Sequence, residues 1–157
     1  MYKLFVDLDG VLVDFESGVL RVTGRRVEEQ SPREMWSALA RSRGFYDSLD
    51  WLPDGRELWD FCLRHEPTIL TGLPFGNWAA PQKLSWCARE LGPDVPVITC
   101  FSRQKAARAR EACPDGLQPV LVDDRARLRD SFEEAGGVFV HHRTSAESII
   151  ALKELGF

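Results

Sequence analysis

A chain of 157 residues with 44% hydrophobic and 28% charged residues has material for one globular domain carrying a modest insertion, with enough apolar content to bury a core. Its net charge of −4 and pI near 5.4 argue against generic binding to nucleic acid or acidic membranes, while leaving room for a small basic pocket around a phosphate. No run approaches the roughly 18 apolar residues of a membrane span, and the amino-terminal MYKLFVDLD has two acids where a secretion signal needs an apolar stretch, so a cytoplasmic protein is expected.

In chain order, residues 3–7 form the first apolar run, which ends in Asp7-Leu8-Asp9-Gly10. The stretch that follows contains no convincing second strand. It offers helix candidates near 15–23, 32–43 and 55–65, separated by turn-like residues. Residues 15–66 are therefore expected to form a small helical cap, lying over the sheet edge where the first strand finishes. Further strands are expected at 68–71, 95–100, 119–122 and 138–141, several of them apolar without alternation, as in strands covered on both faces. Helices are expected at 77–91, stopped by Gly92-Pro93, at 103–113, at 126–135, closed by Gly136-Gly137, and at 145–155. This alternation predicts an α/β fold: a three-layer, Rossmann-like parallel sheet whose core is 1–14 and 67–157. Cys62, Cys87, Cys100 and Cys113 are dispersed with no C-x-x-C pair, a pattern that speaks for reduced thiols rather than zinc ligands.

Four strand ends carry chemistry-bearing residues. Asp7 and Asp9 close the first strand, Thr71-Gly72 the second, Lys105 follows the third, and Asp123-Asp124 close the fourth. Each alone has an ordinary reading as a turn residue, a cap or a solvated lysine. A parallel sheet, however, brings all four to one edge, where open α/β sheets bind ligands. Residues two apart at a strand end face the same side, so Asp7 and Asp9 address one ligand. Like charges ~4 Å apart repel by about 4 kcal/mol at an effective dielectric near 20, so such a cluster requires a cation. Oxygen donors without His or Cys favour Mg²⁺ over zinc, and no loop supplies the many oxygens Ca²⁺ prefers. Lys105, the Thr71 hydroxyl and backbone N–H groups near Gly10 and Gly72 complement a phosphate dianion. An aspartate nucleophile and a second carboxyl as acid/base complete a phosphoryl-transfer set.

With these residues in place the chain resembles the haloacid dehalogenase superfamily of phosphohydrolases: DLDGV matches its first motif, LTG its second, Lys105 its third and VDD its fourth. The resemblance implies that Asp7 is the nucleophile and Asp9 the acid/base. It implies a Mg²⁺ site made of Asp7, the Asp9 backbone carbonyl and the Asp123/Asp124 pair, and phosphoryl binding by Thr71 and Lys105. Within the superfamily, DLDGVLVDFE, GFYDSLDWLPDG, LTGLP…QKLSWCARELG and SRQK are similar to the 5′(3′)-deoxyribonucleotidases. That likeness places Lys83 as a second phosphate-contacting lysine, and Phe15, Phe45 and Tyr46 around the nucleobase. The chain departs from that family in a shorter insertion, in TGLP where the family has TSP, and in extra helical sequence between Lys105 and Asp123. The expected activity is Mg²⁺-dependent hydrolysis of a small phosphomonoester, a nucleoside monophosphate being the best single candidate. The alternatives are a sugar phosphate substrate, or a non-catalytic phosphate-binding regulator on the same fold.

Overall fold

The computed structural model describes all 157 residues. Five parallel strands form one sheet: β1 (Tyr2–Val6), β2 (Thr68–Gly72), β3 (Val97–Cys100), β4 (Gln118–Asp123) and β5 (Val138–His141), in the order β3-β2-β1-β4-β5. β1 therefore lies at the centre, in register with β4 from Tyr2–Gln118 to Val6–Val122. The strands sit where the apolar runs placed them, because a strand buried on both faces leaves little room for polar residues.

Residues of opposite parity build two cores. Leu4, Val6, Ile69, Val120, Val122 and Val140 face the larger one. It is covered by α3 (Gly55–Leu63), α4 (Ala79–Glu90) and α7 (Ser145–Leu155). Phe5, Leu70, Leu121 and Phe139 face the smaller one, beneath α5 (Lys105–Ala112) and α6 (Arg129–Glu134). Three layers result, as expected from the sequence. Ala109 of α5 and Phe132 of α6 are the buried residues through which those helices grip the sheet. Cys62 and Cys87 are buried in the larger core, and burial pushes both thiols up to about 12, so they stay protonated and unreactive.

Between β1 and α3 the chain makes a helical excursion containing α1 (Phe15–Thr23) and α2 (Pro32–Arg41). Local rules set both helices. Asp14 caps α1 by accepting from the Ser17 N–H, and Gly24, left-handed at φ +71°, ends it. Ser31 caps α2 by accepting from the Glu34 N–H, with Pro32 in the first turn. The two ends of the excursion are tied together: the Asp14 N–H donates to the Asp50 carbonyl at 2.9 Å and the Leu52 N–H to the Leu12 carbonyl at 2.8 Å. α3, counted with the cap on sequence grounds, packs along α7, where the Ser145 N–H donates to Asp54 Oδ2 at 2.8 Å. The cap docks on α4 through Trp86 Nε1, which donates to the Leu49 carbonyl at 2.8 Å, and Arg89, which pairs with Asp47 at 2.7 Å. Val19, Met35, Leu39 and Phe45 from the excursion join the same apolar cluster as the sheet residues, so cap and core share one interior.

Candidate active site

In this strand order the connections run outward from β1 through β2 to β3, then return to β4 on the other side of β1. The switch point lies between β1 and β4, where a crevice opens at the carboxyl ends of the strands. Asp7 follows β1, its N–H donating to the Val122 carbonyl at 2.9 Å, and Asp123-Asp124 close β4 beside it. Carboxylate oxygens of Asp7, Asp123 and Asp124 lie within 4.8 Å of one another. Gly10 permits this approach. Its backbone has φ +76°, and a Cβ there would collide with the Asp124 carboxylate.

Lys105, 2% exposed at the start of α5, reaches into this cluster. Its ammonium lies 2.8 Å from Asp7 Oδ1 and 2.6 Å from Asp123 Oδ2. The other Asp123 oxygen accepts from the Arg125 N–H at 2.9 Å. Burial and the neighbouring charge of Asp7 push the Asp123 carboxyl up to about 6 and the Asp124 carboxyl up to about 7. One lysine is thus too little positive charge for three carboxylates. The donors are all oxygen, they gather at the bottom of the crevice, and they carry an excess of negative charge that a hard divalent ion relieves. These residues fit Mg²⁺.

Asp9 belongs to a different set. Its Oδ2 accepts from Lys83 Nζ at 2.7 Å, and the same ammonium donates to Thr71 Oγ1 at 2.9 Å and to the Gly72 carbonyl at 2.7 Å. The ring of Tyr46 lies 4.4 Å from that nitrogen. Asp9 Oδ1 is buried with no hydrogen-bond partner. Burial raises the Asp9 carboxyl, against the opposing pull of Lys83. A carboxyl held at one oxygen, with the other unpartnered, is prepared to carry a proton on the unpartnered side.

A cleft of about 600 Å³ opens above these groups. Asp7, Asp9, Gly72, Lys105 and Asp124 line its floor, and Phe15, Trp36 and Tyr46 form the wall on the cap side. Three expected contact residues stop short of it. Thr71, near the end of β2, is fully buried, its hydroxyl accepting from Lys83 of α4 at 2.9 Å. Lys83 is 1% exposed, its ammonium engaged by Asp9, Thr71 and the Gly72 carbonyl beneath the cleft. Phe45 is fully buried, its ring edge-on to Phe15 and Tyr46. The carboxylates that could hold a metal ion are those of Asp7, Asp123 and Asp124, while the contact expected of Asp9 is its backbone carbonyl.

The cleft adds residues that the sequence reasoning passed over. Trp36 packs against Phe15 with ring centroids 5.8 Å apart. His142, 4% exposed, lines the wall after β5, its Nδ1 2.8 Å from Ser148 Oγ, and burial lowers its pKa so that the ring is held neutral. Arg103, Arg125, Arg127 and Arg143 complete the rim. Their position directly after strands β3, β4 and β5 was the available signal.

No protein-family model matches the chain, and no curated protein matches it in sequence. Among solved structures it is similar to a protein from Burkholderia xenovorans described as a haloacid dehalogenase-like hydrolase. The TM-score is 0.57 at 15% identity, over 99% of this chain and 89% of that one. A hydrolase from Pseudomonas syringae matches at TM-score 0.46 and 13% identity, over 100% of both chains. The chain therefore has the haloacid dehalogenase-like α/β fold, built on a five-stranded parallel sheet flanked by helices.

Proposed function

We propose that the protein is a Mg²⁺-dependent phosphomonoesterase that works through an aspartyl-phosphate, with (deoxy)ribonucleoside monophosphates as its substrates. The observation that carries this reading is the placement of Asp7: at the cleft floor, one oxygen held by Lys105, beside Asp124 and two residues from Asp9. Asp7, Asp123 and Asp124 would hold the metal, which when bound supplies charge neutralisation at the phosphoryl oxygens.

Asp7 attacks phosphorus with a carboxylate oxygen, forming the P–O bond as the ester oxygen departs. Asp9 gives its proton to that leaving oxygen. In the second half-reaction the ionised Asp9 takes a proton from water. The water oxygen attacks phosphorus, and the Asp7 carboxylate is released with inorganic phosphate. Lys105 fixes the Asp7 rotamer and offsets charge on the transferring group. Lys83, pinned by Thr71 and the Gly72 carbonyl, fixes the Asp9 carboxylate for both proton transfers. The aromatic wall of Phe15, Trp36 and Tyr46 supports a planar, nucleobase-like group in the remaining space, and the cleft volume suits a nucleotide.

The test is phosphate release from a panel of deoxy- and ribonucleoside monophosphates and sugar phosphates, with and without Mg²⁺, using Asp7→Asn as control. Metal-dependent, base-dependent turnover is expected, abolished in the variant. Turnover that ignores the base would remove the nucleotide assignment and leave a sugar phosphatase. Wild-type-like turnover in Asp7→Asn would remove the mechanism.

A further inference from the structure

Two polar side chains of the cleft have no part in the phosphoryl chemistry above: Asp54, at the start of α3, and His142, just after β5. One helix holds both. Ser145, in the first turn of α7, gives its N–H to Asp54 Oδ2 and its hydroxyl to the Asp54 carbonyl, each at 2.8 Å. Ser148 Oγ lies 2.8 Å from His142 Nδ1. The two serines are buried and three residues apart, so they share one face of α7 and set Asp54 and His142 side by side. The His142 N–H also donates to the Asp123 carbonyl at 2.9 Å, which fixes its backbone at the sheet edge.

Each side chain is held at one polar atom and leaves the other without a protein partner. For Asp54 that atom is Oδ1, and for His142 it is Nε2. His142 is 96% buried and lines the cleft, so the accessible part of its ring faces the cleft. No ion pair joins the two residues, which leaves a gap between acceptor and imidazole. Neighbouring Asp14 differs, because both of its oxygens are engaged by Ser17. Asp54 and His142 also lack the third ligand of a cation site, since the metal-ligating groups that converge in this molecule are Asp7, Asp123 and Asp124.

The free atoms define what they take. A carboxylate oxygen only accepts, and Nε2 donates or accepts according to the ring tautomer. An anionic group is repelled by Asp54, and an apolar one strips both atoms of water and leaves them unpaired. A hydroxyl avoids both costs. One hydroxyl that donates to Asp54 Oδ1 and accepts from Nε2–H suits one tautomer, and two neighbouring hydroxyls, each donating once, suit the other.

Resting on the phosphomonoesterase reading, we infer that Asp54 and His142 form a subsite for hydroxyl groups of the substrate, so that the protein selects phosphomonoesters of hydroxyl-bearing sugars over deoxygenated ones of the same shape.

The experiment compares kcat/KM in Mg²⁺ buffer within two pairs. One is a ribonucleoside 5′-monophosphate and its 2′,3′-dideoxy counterpart. The other is a hexose 6-phosphate and cyclohexylmethyl phosphate, a ring of similar size without hydroxyls. The hydroxylated member of at least one pair is expected to be preferred roughly tenfold or more, the size of one hydrogen bond to a charged group. The ratio is expected to collapse toward one in His142→Phe, and His142→Asn, whose amide still donates and accepts, is expected to restore part of it. Asp54→Asn keeps an acceptor for Ser145 but puts a donor in place of the free acceptor, and it too is expected to lower the ratio. Thermal melts establish that each variant is folded. Calorimetric binding of both pairs to the Asp7→Asn protein reads the subsite without turnover. A preference for the hydroxylated ligand there supports the inference even if wild-type hydrolysis fails and the phosphatase reading falls. Equal binding and turnover within both pairs would overturn the inference while leaving that reading in place. No measurable binding of any of the four ligands, or a preference that survives in both His142→Phe and Asp54→Asn, would also overturn it.

Discussion

The sheet edge and the cap wall meet in one cleft but are built by different physics. At the edge, Asp7, Asp123 and Lys105 are all at most 4% exposed and are locked by contacts of 2.8 and 2.6 Å. On the wall, Phe15, Trp36 and Tyr46 are held by ring packing at centroid distances of 5.8 and 6.2 Å, with no directional bond among them. The edge is a charged network in which removing one member leaves a buried charge unpaired. The wall is an apolar surface whose members each give up only contact area. Chemistry and selectivity should accordingly respond to mutation on different scales.

Lys105→Met breaks the edge. It is expected to lower kcat/KM on the order of 10²–10³-fold, as loss of one charge-stabilising donor does. Removal of the ammonium also leaves Asp7 and Asp123 facing each other, a loss of about 3–5 kcal/mol in the metal-free protein by the measure of broken buried pairs. Urea titration with and without Mg²⁺ checks this second effect, and the metal is expected to recover part of the loss.

Trp36→Ala breaks the wall. Loss of one stacking face is worth about 1–3 kcal/mol, so KM for a nucleotide is expected to rise roughly tenfold while kcat holds. Steady-state kinetics separates the two, and a large fall in kcat would show that the wall positions the reacting group as well.

A pH-dependent effect sharpens the charge side of the contrast. Folded-state values of about 6 for Asp123 and about 7 for Asp124 lie above the ordinary carboxyl range, so between roughly pH 4 and 7 the folded chain holds protons that the unfolded chain has released. Their contribution to metal-free stability therefore falls as pH rises through that window. Mg²⁺ binds the ionised groups, so the rise in Tm on adding it is expected to be larger at pH 8 than at pH 5. At a metal concentration 100 times Kd the stabilisation would be about 2.7 kcal/mol. An equal or reversed pH dependence, read by thermal melts, would place the metal away from these carboxylates.

The same contrast governs what could be read from the chain. Strand ends were legible because a buried strand is a continuous apolar run, and the first polar residues after it must fall at the sheet edge. Asp7, Lys105, Asp123 and Asp124 came together on that logic alone. The depth of a side chain was not legible. Thr71, Lys83 and Phe45 were expected at the substrate, but all three are buried. Whether a residue at the end of β2, in the middle of α4 or before a short turn faces the cleft depends on the helix packed against it, which no local pattern encodes. Phe45 and Tyr46 are adjacent, yet only Tyr46 borders the cleft. The rim arginines were overlooked for another reason: in SRQK, DDRAR and HHR they read as ordinary solvated charges. Only the parallel order of β3, β4 and β5 collects them.

The most direct test of the nucleophile assignment is rapid acid quench of the enzyme during turnover of a phosphomonoester in Mg²⁺, followed by peptide mass spectrometry, in wild type and in Asp9→Asn. The expected result is a phosphoryl adduct on Asp7, longer-lived in the variant because water is no longer deprotonated. Sustained turnover with no adduct, or an adduct on any other residue, would contradict it.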